Sequence, residues 1–172
     1  MHVSVFNFVF SLAEKYKQHF LFKNVLEVGS LNVNGSVKPL FVGCDYTGID
    51  LMPGPNVDQV GHLMTQGFGE TSFDTVISLE AMEHDSLWKE SLREMYRVLK
   101  PGGLLILTFA TDGRAEHGTH KADPEASPAT LDHYHNISFS EFSDTICMDG
   151  FSCFDLHVDT TLGDFHFAGI KQ

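Results

Sequence analysis

A short apolar run that closes on a glycine, Val25-Leu26-Glu27-Val28-Gly29, decides the fold. A turn-forming stretch follows at once, Ser30-Leu31-Asn32-Val33-Asn34-Gly35-Ser36. Apolar runs of this length between turn signals are typical of buried strands, whereas glycine, asparagine and serine mark loops. We therefore predict a buried strand, a tight loop and a helix that starts at Val37.

Strand and helix patterns alternate along the next part of the chain. Strand candidates are residues 45–51, 57–60, 73–79 and 104–109, and apolar residues recur at helical spacing between 87 and 99. The run Lys100-Pro101-Gly102-Gly103 is a typical end for that helix. Strands that alternate with helices predict a mostly parallel sheet covered by helices.

The last third of the chain has a different pattern. Residues 151–158 and 164–170 are two strand candidates joined by five residues, which is too short a connection for a crossover helix. The two strands must therefore pair antiparallel. Before them, residues 138–148 are predicted to be helical, with Ser138 or Ser140 as the N-cap.

Length and composition indicate one domain that spans residues 1–172, because this length buries one core and is too short for two ordinary domains. An N-terminal helix is expected over residues 1–22. Its apolar part, residues 3–13, lacks the flanks of a signal peptide and is too short to span a bilayer, so no membrane association is expected.

Charge and cysteine content narrow the function classes. Eleven basic against 23 acidic residues give a net charge of −12, which makes nucleic acid an unlikely partner because phosphate contacts need positive charge. The three cysteines include no Cys-x-x-Cys pair, which argues against a disulfide framework and a thiolate zinc site. A reducing cytoplasm is the expected location, and the oligomeric state is left open.

The segment 110–137 is rich in Gly, Pro, Asp and His and has no clear periodicity. It follows the carboxyl end of a central strand candidate. Long irregular connections in compact domains are usually lids or binding loops. We therefore expect this segment to cover a substrate site.

Acidic residues end the first two strand candidates, Glu27 and Asp50. In open parallel sheets the ligand crevice lies at these strand ends, where an acid at the second position accepts hydrogen bonds from ribose hydroxyls. Leu31 stands where a dinucleotide site has its second glycine. A carboxylate at Glu27 would repel a pyrophosphate but attract the amino and sulfonium cations of S-adenosylmethionine. The pattern favours S-adenosylmethionine over NAD.

Four motifs in order resemble those of class I S-adenosylmethionine-dependent methyltransferases of the type 11-like branch. They are Val25-Leu26-Glu27-Val28-Gly29-Ser30, Tyr46-Thr47-Gly48-Ile49-Asp50-Leu51, Phe73-Asp74-Thr75-Val76-Ile77-Ser78 and Met95-Tyr96-Arg97-Val98-Leu99-Lys100-Pro101-Gly102-Gly103. The resemblance implies a Rossmann-like three-layer α/β/α sandwich with a mostly parallel seven-stranded sheet and a C-terminal antiparallel hairpin.

The resemblance also implies the cofactor contacts. Glu27 and Gly29 would hold the methionine part, Asp50 the ribose and Leu51 one face of the adenine. The adenine edge would meet His62 and Leu63, and the Leu79 backbone would meet the methionine amino group. The loop after the first strand would contribute Ser30, Asn32 and Gly35.

The segment Glu80-Ala81-Met82-Glu83-His84-Asp85 follows the fourth strand candidate. If Glu80 opens a helical turn, Glu83 and His84 lie on the same face of that turn as Glu80, because they follow it by three and four residues. The pattern resembles the divalent metal site of metal-dependent O-methyltransferases, which implies Glu80, Glu83 and His84 as ligands. The nearest match to the fourth ligand is His135, with His133 and His117 as competitors, and the metal would be Mn, Mg, Fe, Co or Zn.

A simpler interpretation of the same segment needs no metal. Glu83 and Asp85 would complement the N-terminus of the helix near Ser86, and His84 would pack or act as a general base. We therefore name His84 and Glu83 as the catalytic candidates. The substrate candidates in the long segment are Arg114, His117, His133 and Tyr134.

Three functions are compatible with the sequence. The leading hypothesis is methyl transfer to a small-molecule acceptor at a hydroxyl oxygen, because a hydroxyl benefits most from a general base such as His84. The segment after Ser78 lacks the Asn/Asp-Pro-Pro-aromatic motif of nucleobase amine methylation, which argues against that reaction. The alternatives are metal-dependent 2′-O-methylation of RNA, which the acidic charge opposes, and a non-catalytic cofactor-binding partner subunit.

Overall fold

A computed structural model describes residues 2–130 and 132–172, and within them seven strands form one sheet in the order β3-β2-β1-β4-β5-β7-β6. The strands are β1 Asn24–Val28, β2 Asp45–Asp50, β3 Gln59–Val60, β4 Phe73–Leu79, β5 Leu99–Ala110, β6 Phe151–Asp159 and β7 Asp164–Lys171. The α-helices of the described residues are α1 Val3–Lys15, α2 Trp88–Val98 and α3 Phe139–Thr145.

Strand directions follow the predicted pattern. β1 pairs in parallel with β2 and β4, so that Glu27 lies between Gly48 and Ile77, and β5 continues the parallel set beside β4. β7 pairs antiparallel with both β5 and β6. The mostly parallel sheet with a C-terminal antiparallel hairpin is thus confirmed.

Alternate side chains of the central strands enter two separate cores. Leu104 and Ile106 of β5 pack with Val9 and Leu12 of α1 on one face. Leu105 and Leu107 pack on the other face with residues of α2 and α3, among them Leu92 and Phe142. Because successive strand residues point to opposite faces, a strand covered on both sides is apolar throughout. The structure is therefore the expected three-layer α/β/α sandwich.

The prediction of a helix that starts at Val37 is wrong. The segment contains only a single 3₁₀ turn, Lys38–Leu40. Few residues separate Gly35 from β2, and they include Pro39 and Gly43, so the chain has no room for an α-helix of several turns. Instead, the Phe41 ring stacks on Phe20 with 4.5 Å between ring centroids and fills the space beside α1.

Two other helices are shorter than predicted. α1 ends at Lys15, short of residue 22, because Leu21 bridges to Val42 and leads the chain into β1. α3 ends at Thr145 and is followed by a 3₁₀ turn, Met148–Gly150. Its N-cap is Ser138, one of the two predicted candidates. None of the helices in the described ranges has the length and apolar character needed to cross a membrane.

Candidate active site

The loop after β1 approaches the segment after β4 very closely. Gly29 adopts a left-handed φ of +78°, and a Cβ built on it would lie 2.3 Å from the Cβ of Ala81. The backbone N–H groups of Gly29 and Ser30 both donate to the Ile49 carbonyl, each at 3.0 Å. Only glycine permits this conformation and contact, and the loop is held where it opens a crevice at the strand ends.

Asp50 ties the same loop to the end of β2. Its Oδ2 accepts a hydrogen bond from the backbone N–H of Leu31 at 3.0 Å, and its Oδ1 accepts from Met52 at 3.2 Å. An ionised carboxylate has about four acceptor positions, so these two bonds leave capacity for a ligand.

Glu27 is buried at the base of the crevice. Its Oε2 accepts a hydrogen bond from the Tyr46 hydroxyl at 2.8 Å. Burial raises the pKa of the Glu27 carboxyl to about 7. A cationic ligand group beside it would favour the ionised form.

These residues line a cavity of about 290 Å³ at the carboxyl ends of the parallel strands. Nine of the ten residues predicted to bind the cofactor line it: Glu27, Gly29, Ser30, Gly35, Asp50, Leu51, His62, Leu63 and Leu79. The tenth, Asn32, does not. Its side-chain oxygen accepts from the Gly35 N–H at 2.8 Å and thus stabilises the turn.

His62 is held by a network that the sequence did not reveal. Its Nδ1 accepts from the Met64 N–H at 3.3 Å, which leaves Nε2 to donate to Asp85 at 3.2 Å. The Ser91 hydroxyl donates to the same carboxylate at 2.5 Å. Because both ring nitrogens are engaged, His62 presents mainly its ring surface to the cavity, and Asp85 is the acidic group at this end.

Glu80 lies at the other end of the cavity from Asp85, and it does not open a helical turn as the sequence predicted. It has a left-handed φ of +54°, and a 3₁₀ turn begins two residues later, Met82–His84. Glu80 lines the cavity, and neither of its buried carboxylate oxygens has a hydrogen-bond partner among the described residues. Burial, reinforced by the neighbouring Asp164 carboxylate, raises its pKa to about 7.

The groups that converge are Glu83, His84 and His117. One potential ligand atom of each lies within 4.8 Å of the others. Glu83 is fully buried and its carboxylate oxygens have no hydrogen-bond partner among the described residues. Burial, together with the nearby Glu80 carboxylate, raises the pKa of Glu83 well above its usual range.

His135 is not part of this cluster, which corrects its placement as the fourth metal ligand. Its Nε2 lies 3.0 Å from Glu141 Oε1, and its ring stacks beside Trp88. Its backbone N–H donates to the Glu83 carbonyl at 2.8 Å, so the main chain is near the cluster while the side chain points away from it. Spacing along the sequence could not reveal this orientation.

His84 lines the cavity and has a buried Nδ1 without a hydrogen-bond partner in the described part of the chain. Burial lowers its pKa to about 4, so the imidazole is neutral at neutral pH. A Cβ on Gly118 would lie 2.6 Å from His84 Cε1, so the loop packs directly on the imidazole. His117 and Tyr134 pack edge-on or tilted against the same ring, with centroids 5.0 and 5.5 Å away.

The other substrate candidates have different environments. Arg114 lines the cavity, but its Nη1 contacts Asp164 Oδ1 at 2.9 Å and the Leu162 carbonyl at 3.0 Å. It is therefore neither a solvated loop cation nor a guanidinium free to capture an anion. His133 lines a neighbouring pocket that His84 also lines.

The long segment lies over the cavity mouth. Asp123 and residues 126–130 line the cavity opposite the strand ends. Its two ends are fastened together, since the Asn136 side chain donates to the Arg114 carbonyl at 2.9 Å and the Tyr134 hydroxyl to the Ala115 carbonyl at 3.2 Å. This position fits the expected lid.

Comparison with known proteins shows similarity to methyltransferases. A profile described as a methyltransferase domain matches residues 26–107. The chain is 28% identical over 121 residues to a probable S-adenosylmethionine-dependent methyltransferase of Mycolicibacterium smegmatis, an alignment that covers 69% of this chain and 42% of the relative. Over its central part the chain is thus similar to S-adenosylmethionine-dependent methyltransferases. It spans about two fifths of the length of that curated relative.

Solved methyltransferases share the fold at low sequence identity. The 1,6-didemethyltoxoflavin-N1-methyltransferase of Burkholderia thailandensis, with 1,6-didemethyltoxoflavin and S-adenosylhomocysteine bound, has a TM-score of 0.67 at 15% identity. That match covers 99% of this chain and 79% of the other. Phosphoethanolamine N-methyltransferase 2 of Haemonchus contortus has a TM-score of 0.67 at 16% identity, covering 96% of this chain and 52% of the other.

The cavity at the strand ends suits S-adenosylmethionine as a ligand. The crevice at Gly29 is a close backbone approach that a side chain would close, and the acids Glu27 and Asp50 stand at positions suited to a cationic group and a diol. Leu51 and Leu63 add apolar surface for a base. The donor set and shape therefore fit S-adenosylmethionine.

Proposed function

We propose that this chain transfers the methyl group of S-adenosylmethionine to a hydroxyl oxygen of a small-molecule acceptor. The observation that carries the proposal is His84, a buried and neutral imidazole at the cavity whose Nδ1 has no hydrogen-bond partner among the described residues. A neutral imidazole can accept the proton that a hydroxyl must lose, and general-base assistance benefits an alcohol most.

The cofactor would lie across the strand ends with its parts matched to the lining residues. Glu27 and the backbone at Gly29 and Leu79 would hold the methionine end, and Asp50 would accept hydrogen bonds from the ribose hydroxyls. Leu51, His62 and Leu63 would contact the adenine. When bound, the cofactor supplies a methyl group activated by its positive sulfur.

The chain's own contribution is positioning and proton transfer. The new oxygen–methyl bond would form as the sulfur–methyl bond breaks, and the hydroxyl proton would pass to His84. The products are S-adenosylhomocysteine, a methyl ether and a protonated His84, so the positive charge of the sulfonium ends on the imidazole. Glu83 lies within 4.8 Å of His84 and His117 through its ligand atoms, so a positive charge on His84 would favour the ionised form of Glu83, which would in turn stabilise the imidazolium. Lid residues 126–130 would exclude water from the reacting groups.

The test uses cofactor carrying a ¹³C methyl group and a low-molecular-weight metabolite extract as the acceptor pool. We expect a labelled product whose methyl carbon has the chemical shift of a methyl ether, and loss of that product in His84→Gln. His120→Gln is the matched control, because His120 lies in the same loop with a largely exposed side chain. An N-methyl signal, or full transfer by His84→Gln, would contradict the oxygen assignment.

Binding of the cofactor is tested separately by calorimetric titration with S-adenosylhomocysteine. We expect binding that is lost in Asp50→Ala. A protein that binds the compound but transfers no label would instead be the cofactor-binding partner subunit, whereas no binding at all would refute the proposed function.

A second candidate is a divalent metal at Glu83, His84 and His117. The unpartnered carboxylate of Glu83 and the Nδ1 of His84 supply buried donors of the kinds that Mn, Fe, Co and Zn accept. A metal held there would acidify a nearby hydroxyl. Compared with the ligands predicted from sequence, this set keeps Glu83 and His84, omits Glu80 and His135, and includes His117.

The metal is tested by titrating chelator-treated protein with Mn²⁺ and following the free ion by electron paramagnetic resonance. His117→Ala should lose binding, whereas His135→Ala should retain it. The opposite order would restore the sequence-based ligand set, and no binding by the unaltered chain would leave His84 to act without a metal.

A further inference from the structure

The carboxylate of Glu80 has no role in the proposed reaction, yet it occupies a costly position. Both oxygens are buried at the cavity lining and neither forms a hydrogen bond within the described residues, although the Thr108 hydroxyl lies close to the carboxylate. The residue also holds a left-handed φ of +54°, which is unfavourable for a residue with a side chain. Such strain and missing bonds persist at ligand sites, where a bound group supplies the missing partner.

The surroundings of Glu80 are acidic. Asp164 is fully buried with an unpartnered Oδ2, and Glu83 is fully buried nearby. Arg114 is the only arginine or lysine among the described residues that line the cavity, and its Nη1 is committed to Asp164 and the Leu162 carbonyl. Three carboxyl groups thus face one guanidinium. An anionic ligand group would be repelled here, whereas a cationic donor would supply both the charge and the hydrogen bonds that are missing.

Building on the proposed function, we propose that the acceptor is an amino alcohol whose protonated amino group binds the Glu80 carboxylate while its hydroxyl lies toward His84. Glu80 would bind the amino group of the acceptor, and His84 would accept the proton from its hydroxyl. An ammonium group held on a carboxylate has no lone pair with which to attack a methyl group. Binding at Glu80 therefore protects the nitrogen and directs transfer to the oxygen.

The test uses three vicinal cyclohexane probes that share one ring and one hydroxyl: aminocyclohexanol, cyclohexanediol and hydroxycyclohexane carboxylate. Each is titrated into the full chain saturated with S-adenosylhomocysteine, and its Kd is measured by saturation-transfer NMR. We expect aminocyclohexanol to bind at least about tenfold more tightly than the diol, as a charge-assisted hydrogen bond supplies. The hydroxy acid should not bind.

Glu80→Gln keeps the size of the side chain and removes its charge. It should abolish the preference for aminocyclohexanol and leave the diol's Kd within about twofold. Glu90→Gln is the matched control, because this exposed residue of α2 makes the same charge change away from the cavity. Circular dichroism checks that both variants fold.

Several outcomes would overturn the proposal. These are equal binding of the diol or the hydroxy acid, a preference that survives Glu80→Gln, and no probe binding to a chain that binds S-adenosylhomocysteine. A large loss of S-adenosylhomocysteine affinity in Glu80→Gln would assign Glu80 to the cofactor and also refute it. Failure of the unaltered chain to bind S-adenosylhomocysteine would instead refute the proposed function, so the two failures are distinguishable.

Discussion

Gly29 and Ala81 approach each other so closely that a Cβ on the glycine would lie 2.3 Å from the Cβ of the alanine. The contact joins the loop after β1 to the segment that carries Glu80 and His84. Gly29 also has a φ of +78°. Two independent constraints, conformation and space, therefore require glycine at this position.

Gly29→Ala should destabilise the fold by about 2–4 kcal/mol and abolish S-adenosylhomocysteine binding, because left-handed strain adds to an overlap that must move the backbone. Gly102→Ala is the matched control: Gly102 has a φ of +75° and nothing within 4 Å of its Cβ position. It should cost about 1–2 kcal/mol and leave binding intact. Urea unfolding measures the stability cost, and calorimetry measures S-adenosylhomocysteine binding. Equal results for the two variants would show that the contact with Ala81 is not what requires glycine at position 29.

Glu27 should make cofactor binding depend on pH. Burial raises its pKa to about 7, so the free protein holds a proton there below that pH. Because the pKa of this carboxyl is raised in the folded protein, the stability of the fold falls as pH rises to about 7. A cationic ligand beside the ionised carboxylate offsets that loss. The affinity for S-adenosylhomocysteine should therefore rise with pH, by at most about tenfold per unit below the pKa, and then level off.

Calorimetry in two buffers of different ionisation enthalpy measures the proton released on binding. Glu27→Gln should remove this release and flatten the pH profile. A pH profile unchanged in Glu27→Gln would show that another group titrates with binding.

The positions of the strands along the chain were predictable because most of them are short apolar runs followed by a turn, with an acid near the end of β1 and at the end of β2. Glu27, Gly29 and Asp50 meet at one edge because parallel strands align their carboxyl ends. The helix predicted from Val37 failed because few residues remain before β2 and they include Pro39 and Gly43, a limit that the predicted strand at residues 45–51 already set. The space is filled instead by Phe41, whose contact with Phe20 is long-range.

The reacting end was less predictable for the same reason. Glu83 and His84 are neighbours in sequence, so their proximity was predictable. Which of His117, His133 and His135 approaches them depends on where a long irregular segment turns. Glu141 draws the His135 side chain away, and Gly118 allows the loop to rest on His84. Asp164 gave no signal at all, since a strand-start aspartate looks the same whether exposed or buried.

Arg114 and Asp164 should contribute more to stability than their distance alone suggests. The pair is 2.9 Å apart, with the Asp164 side chain fully buried. Arg114→Met should cost about 3–5 kcal/mol, because it leaves a buried carboxylate without its partner. Lys100 and Asp74 form an ion pair at the same 2.9 Å distance but with 34% and 24% exposure. Lys100→Met should therefore cost about 1 kcal/mol or less.

Urea unfolding measures the stability lost in Arg114→Met and in Lys100→Met. Adding Asp164→Asn to Arg114→Met should recover part of the stability that Arg114→Met alone loses. Equal costs for the two ion pairs would show that Asp164 is not buried as described.

The N-terminus of α3 should depend on Ser138 and should lose stability in acid. Ser138 Oγ accepts from the Glu141 N–H, and Glu141 accepts from the Ser138 N–H at 3.0 Å, which forms a capping box. The backbone bond from Ser138 lowers the pKa of Glu141 to about 2. A carboxyl whose folded pKa is lowered stabilises the fold above its usual pKa near 4.5, and this contribution fades as pH falls toward 2.

Ser138→Ala should cost about 1 kcal/mol, and Ser140→Ala only a few tenths, although both serines were N-cap candidates from sequence. In Glu141→Gln the acid-dependent part of the loss should disappear between those two pH values, while the stability at neutral pH falls by less than about 1 kcal/mol because the side chain is a third exposed. Thermal unfolding across that pH range measures all three variants. If Ser140→Ala proved as costly as Ser138→Ala, the helix would begin later than Phe139, and the turn that directs His135 away from the cavity would have to be different.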